Sequence, residues 1–113
     1  MHLKYLIATL VIILTPITTL ANNAAAGKIK FSQFCAACHG ASGKGDGPAG
    51  GALTPKPSNL VISKLNDTQL MTIIKKGGPA TGRSPLMAAW GSTLSDQDIK
   101  NVIAYIHQLQ KNK

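Results

Sequence analysis

A mainly α-helical single domain with long ordered loops is what this sequence predicts. Three observations lead there. Ile99, Val102, Ile103, Ile106 and Leu109 form an apolar stripe with the helical period. Asn66 and Gln69 stand as the two halves of a capping box ahead of Leu70, Ile73 and Ile74. No stretch keeps up a period-2 alternation that would mark a half-buried strand. At 113 residues the chain has room for one domain.

Taken in order, residues 1–21 read as a secretory signal peptide and are set aside before the fold is considered. Lys4 gives a small positive start, residues 5–14 form an apolar stretch of ten, and Pro16 breaks it. Thr19-Leu20-Ala21 provides a cleavage point, with a cut after Ala26 as the alternative. An uncleaved membrane anchor fits less well. Residues 5–20 number only 16 and contain Pro16 and four threonines, whereas a spanning helix needs about 20 mostly apolar residues. Cleavage after Ala21 leaves a domain of 92 residues, 22–113 (113 − 21).

Residues 27–34 are expected to form a short helix, with Ile29, Phe31 and Phe34 as its apolar side chains. Residues 40–59, rich in glycine and holding Pro48, Pro55 and Pro57, are expected to be loop. The second helix starts after Asn66 and ends at Gly77, a residue type common just past helix ends. Residues 78–91, with Pro79, Pro85, Met87 and Trp90, form a second loop. The last helix begins at the N-cap Ser95, has Asp96 and Asp98 in its positive first turn, and has Lys111 and Lys113 near its negative end.

Composition narrows the function. After cleavage, 11 Lys and Arg face four Asp, a net charge of +7. Such a charge serves solubility, or steers the chain toward an acidic partner or an anionic membrane surface. Nucleic acid is a poor fit, because the lysines are scattered and no basic run interleaves with aromatics. A domain this small buries a modest share of its surface, and its aromatics are Phe31, Phe34, Trp90 and Tyr105. It gains much if a large, flat, apolar cofactor joins the core.

Cys35-Ala36-Ala37-Cys38-His39 is the informative string. Two thiols three residues apart on a helical turn lie on one side and can add to the two vinyl groups of one haem. The following His39 can turn its ring toward the iron. This is the attachment pattern of haem c, and export fits it. A structural disulfide also suits an exported protein. A redox-active pair of the thioredoxin kind requires a βαβ setting that the pattern lacks, and zinc wants four ligands where only Cys35, Cys38, His39 and the distant His107 are on offer. Gly43-x-Gly45-x-Gly47 neither follows a strand nor opens a helix, so it makes a poor phosphate loop.

On these residues the chain resembles the class I single-haem bacterial cytochromes c. The resemblance covers about residues 27–110. Gly27-Lys28-x-x-Phe31-x-x-x-Cys35-x-x-Cys38-His39 is similar to the family's first helix and haem site. Gly45-Asp46-Gly47-Pro48 and Leu53-x-Pro55-Lys56-Pro57-x-Asn59-Leu60 resemble a subgroup with a glycine-rich loop. Met87-x-x-Trp90, Leu94-Ser95, Ile99, Val102 and Tyr105-Ile106 resemble the methionine loop and last helix, with Ala88 where many relatives carry proline. The resemblance implies the all-α class I cytochrome c fold: three or more helices and long ordered loops around one covalent haem c.

A low-spin carrier needs a sixth ligand, and Met71, Met87 and His107 are the candidates. Met71 beside Leu70 reads as core packing, and His107 as a solvated side chain off the apolar stripe. Met87, in a loop able to cross the far face of the haem, is the expected ligand on that setting and on the resemblance. Cofactor binding is thus assigned to Cys35, Cys38, His39 and Met87, and iron ligation to His39 and Met87. The family also implies a backbone carbonyl among residues 55–59 for the other nitrogen of His39, and a close crossing of the first and last helices through Gly27, Phe31 and Tyr105. Trp90 reads as a haem-edge or a core aromatic, and Arg83 as a solvated loop residue in preference to a propionate partner.

The expected function is single-electron transfer by a monomeric exported carrier in the periplasm, with no catalysis of its own. Thioether sulfur favours ferrous iron and raises the potential. A filled coordination sphere leaves no place for oxygen. Redox partners with acidic docking surfaces would meet Lys44, Lys56 and Lys75. No stable membrane insertion is expected after cleavage. The alternatives are a sensing or catalytic haem-c protein with a labile Met87, and a subunit docked on a larger respiratory enzyme.

Overall fold

The computed structural model describes residues 3–16 and 21–113. Residues 3–16 carry neither helix nor strand and are exposed throughout. Thr19 and Leu20 of the expected cleavage point lie outside the described residues. Four α-helices follow: α1 (Ala24–Phe34), α2 (Ala36–His39), α3 (Asp67–Ala80) and α4 (Asp96–Lys111), with 3₁₀ turns at Gly50–Ala52 and Leu60–Ile62. No strand occurs among the described residues. The all-α class I fold holds.

α1 begins three residues before the expected start. The Asn23 side chain accepts from the Ala26 N–H and caps the helix, while the Asn23 N–H donates to Asn101 Oδ1 of α4 at 2.9 Å. Ala24, Ala25 and Ala26 are strong helix formers, but they lie close behind the apolar leader and read as its tail. α1 then crosses α4 at very short range. A Cβ at Gly27 would lie 1.8 Å from the Asn101 carbonyl oxygen, so only glycine lets the backbones meet here. One turn on, the fully buried Phe31 meets Tyr105 edge to face, with ring centroids 5.2 Å apart.

α3 carries both halves of the expected capping box, Gln69 N–H to Asn66 Oδ1 at 2.9 Å and Asn66 N–H to Gln69 Oε1 at 3.0 Å. Gly77, at φ 81°, breaks the regular helix where expected. A further helical turn at residues 78–80 replaces the start of the expected loop. Pro79 sits in the first turn of that piece, where a missing N–H leaves no bond unmade.

α4 opens with a full capping box, Ser95 with Asp98, where the sequence had suggested the cap alone. It buries Ile99, Val102, Ile103, Tyr105 and Ile106. With Phe31, Leu70, Ile74 and Leu94 these make the core. Polar clamps tie α3 to α4: Lys75 Nζ to Asp96 Oδ1 at 2.9 Å, and His107 Nε2 to Asp67 Oδ1 at 2.6 Å. Two expectations change as a result. His107 is not merely solvated, because its Nδ1 also meets Gln110 Oε1 at 3.1 Å. Lys75 is held by Asp96 and is less available to a partner than Lys44 or Lys56.

Candidate functional site

Cys35 ends α1 and, with its altered backbone (φ −115°, ψ −37°), separates it from α2. A four-residue helix has few bonds of its own, and its carbonyls need donors. The glycine-rich loop supplies them: the N–H groups of Gly45, Gly47 and Ala49 donate to His39, Cys38 and Ala37 at 2.8, 3.1 and 2.8 Å. Gly47 is required by closeness, since a Cβ there would lie 2.4 Å from the Ala37 carbonyl oxygen. The glycines therefore brace α2 and cradle no phosphate.

Above α2 opens a cavity of about 730 Å³. Cys35, Cys38 and His39 line it from the α1–α2 corner, Phe34, Leu70, Ile74, Val102 and Ile106 from the helices, and Met87 and Trp90 from the loop after α3. The cavity gathers all four expected site residues. Met71 and His107 are not among its lining residues. Trp90 packs on Phe34 with centroids 5.3 Å apart.

His39 is half-buried, and its Nδ1 lies 2.9 Å from the Ser58 carbonyl oxygen. A carbonyl only accepts, so Nδ1 carries the proton and Nε2 keeps its lone pair. Ser58 falls within the stretch expected to supply that acceptor; which residue it was could not be read from sequence, because a main-chain acceptor leaves no side-chain signature. Burial holds the imidazole below its ordinary pKa of 6.5, with the Ser58 bond opposing, so the ring stays neutral, the form that binds metals. Burial, with the neighbouring Cys38, pushes the Cys35 thiol up to about 12. Both cysteines are free of a disulfide. Cys35 is therefore a protonated thiol facing an apolar cavity, a poor candidate for a thiolate redox centre.

The charged lining side chains are Lys56, Lys64 and Arg83, with no carboxylate among them. Lys64 at this mouth gave no sequence signal: it stands alone between 3₁₀ turn and α3, and only the fold brings it to the rim. Arg83 lines the cavity with its head exposed. A cavity in the size range of cofactor sites, apolar within and cationic at its rim, with two thiols and a neutral imidazole on one border and a thioether on the loop, fits a haem with its two propionates.

The sequence model of the family described as "Cytochrome C oxidase, cbb3-type, subunit III" matches residues 22–106. The chain belongs to this cytochrome c family. It is 38% identical over 94 residues to cytochrome c-554(547) of Halothiobacillus neapolitanus, a match covering 80% of this chain and 100% of the relative. It is 33% identical over 85 residues to cytochrome c-554(548) of Halomonas halodenitrificans, covering 75% and 94%. A third relative is the cbb3-type cytochrome c oxidase subunit CcoP of Azospirillum sp. (strain B510), 33% identical over 97 residues. There the match covers 82% of this chain and 31% of the relative, so the chain spans about a third of the oxidase subunit. As a c-type cytochrome it serves electron transfer, and membership implies haem c. Among the described residues no helix is long and apolar enough to cross a membrane.

Proposed function

We propose that the chain holds one haem c, tethered through Cys35 and Cys38 and ligated by His39 and Met87, and shuttles single electrons between partner proteins in the periplasm. The observation that carries this is the convergence of those four residues on one cavity, with His39 Nδ1 donating to Ser58 at 2.9 Å. When bound, the haem supplies a one-electron ferric–ferrous couple. The protein does the rest. The Cys35 and Cys38 thiols would hold the haem by adding S–H across its two vinyl groups, His39 would offer Nε2, and the Ser58 carbonyl keeps the ring in that tautomer and raises its basicity. Met87 would offer a soft sulfur that favours the ferrous state, and with both ligands in place the iron would keep no open site for a substrate. Phe34, Trp90, Leu70 and Ile106 keep water from the interior.

Exposed Lys56, Lys64, Arg83 and Leu86 all line the cavity. That pattern suits a transient partner with an acidic rim. The carrier reading is favoured over a docked subunit because the chain matches cytochromes c-554 over 94% to 100% of their length. Export with cleavage after Ala21 keeps Asn23, whereas cleavage after Ala26 removes the α1 cap and its bond to Asn101. The exported domain is proposed to act as a monomer.

The test is the visible spectrum of the exported protein, oxidised and reduced, with and without carbon monoxide, beside a Met87→Ala variant. A low-spin reduced spectrum that carbon monoxide leaves unmoved, and that the variant loses, is expected. Ready carbon monoxide binding by the unmodified protein would replace this reading with sensing or catalysis.

A further inference from the structure

The main chain of Met87 is tied to the end of α3 through Gly78, beside its own N–H bond to the Ser84 carbonyl at 3.3 Å. The Gly78 N–H donates to the Met87 carbonyl at 2.9 Å, and the Gly78 carbonyl accepts from the Arg83 N–H at 2.8 Å and the Thr81 N–H at 3.1 Å. The half-buried Thr81 adds its hydroxyl, 3.0 Å from the carbonyls of both Gly77 and Gly78, one donor shared between two acceptors. No room is left around these two glycines. A Cβ at Gly78 would lie 1.8 Å from the Ser84 carbonyl oxygen and 3.1 Å from Met87 Cβ, and one at Gly77, already at φ 81°, would lie 3.0 Å from the Met87 carbonyl oxygen. The loop that carries Met87 is thus knotted to the kinked end of α3 through Gly78, and Thr81 is the side chain that ties the knot.

We infer that Thr81 is a positioning residue for Met87: by holding the Gly77–Gly78 kink it sets how firmly the thioether is kept in the cavity, and so how closed and how oxidising the centre is. This rests on Met87 as the sixth ligand. The physical reason is a competition. A thioether is a weak neutral ligand, so the fraction of time it is bound depends on how little the loop must move to present it. Hydrogen bonds that fix the loop beforehand remove that ordering from the binding step. Thr81 is two or more positions outside the Arg83–Met87 segment and does not line the cavity, so its effect acts through the kink alone.

The experiment measures the rate of carbon monoxide uptake by the reduced holoprotein, and the reduction potential, in Thr81→Val, Thr81→Ser, Thr72→Val and Met87→Ala. Thr72 is the matched control: it too sits on α3 and bonds a carbonyl, that of Thr68, but it is remote from the methionine loop. Thr81→Val is expected to speed uptake roughly five- to tenfold, the change that one ordinary hydrogen bond produces, and to lower the potential. Thr81→Ser should restore both, and Thr72→Val should leave both as they were. Amide exchange of Gly78, measured on the same proteins, should quicken in Thr81→Val alone. Wild-type uptake and potential in Thr81→Val, or no recovery in Thr81→Ser, overturns the inference while Met87→Ala still opens the iron. If Met87→Ala leaves uptake and spectrum unchanged, the ligand assignment itself is overturned, and the inference with it.

Discussion

The border of the cavity that carries His39 and the border that carries Met87 are built by opposite means. His39 comes four residues after Cys35, on a corner braced by the glycine-rich loop and backed by α1 where it crosses α4 at Gly27 and Phe31. Met87 lies in an exposed loop whose attachment is a set of main-chain bonds to the end of α3 at Gly78, Ile74 and Lys75. The first border enters the hydrophobic core through Cys35, whereas Met87 and Trp90 are only partly buried against that core and their main chain hangs from a helix end. Local opening free energies follow buried apolar contacts, so the His39 border should move only when the whole domain unfolds, while the Met87 border can let go by itself. Under the proposed ligation a carrier would gain from this division: a fixed His39 side would keep the cofactor in place, and a lightly held Met87 side would tune the potential.

The largest effect should come from the fixed border. Cys35→Ala or Cys38→Ala is expected to leave a single thioether at most and to reduce the yield of covalently coloured protein severely, measured by haem stain after denaturing electrophoresis. Full covalent colour in either variant would break the assignment of the tethering pair. Next is Gly27→Val. Overfilling a packed contact costs about 1–3 kcal/mol, and the 1.8 Å approach to Asn101 puts this site at the upper end. The melting temperature of the holoprotein should fall by several degrees. By contrast Met87→Ala should change the spectrum while moving the melting temperature far less. If the two variants melt alike, the borders are not independent.

A smaller effect concerns approach of the partner. Lys56→Gln and Lys64→Gln should slow association a few fold at low salt and flatten its dependence on ionic strength. Lys75→Gln, whose charge Asp96 already offsets, should do so less. Equal slowing in all three would point to overall charge in place of a mouth-centred surface.

The smallest effect is at the far clamp. His107 has its pKa raised above 6.5, chiefly by the hydrogen bond with Asp67, with Gln110 helping and burial and Lys111 opposing. A raised folded-state pKa means the stabilisation is fully present below the unfolded value of about 6.5. It is lost as pH rises through the folded value. Both partners are more than a third exposed, so water and salt screen the pair and it contributes under about 1 kcal/mol. His107→Gln should remove a slight decline of stability across neutral pH, measured by denaturant midpoints at pH 5.5 and 8.5. The same change of midpoint between the two pH values in His107→Gln and in the unmodified protein would refute the clamp.

Sequence alone was enough to bring the cysteines and His39 to one corner of the cavity, because residues at fixed short spacing need no distant packing to meet. It was enough for α4 and most of α3, because caps and the apolar stripe act within one element. The start of α1 was missed: its cap, Asn23, is secured by Asn101, 78 residues away. The stretch 55–59 was expected to supply the acceptor for His39, but not Ser58 in particular, and Lys64 at the cavity and the pairing of His107 with Asp67 were invisible, since each joins segments that approach only after the helices pack. Met87 stands between. Its type and loop setting could be read from the chain, but the bond from the Gly78 N–H to its carbonyl could not, because main-chain hydrogen bonds between distant segments leave no pattern in the order of side chains.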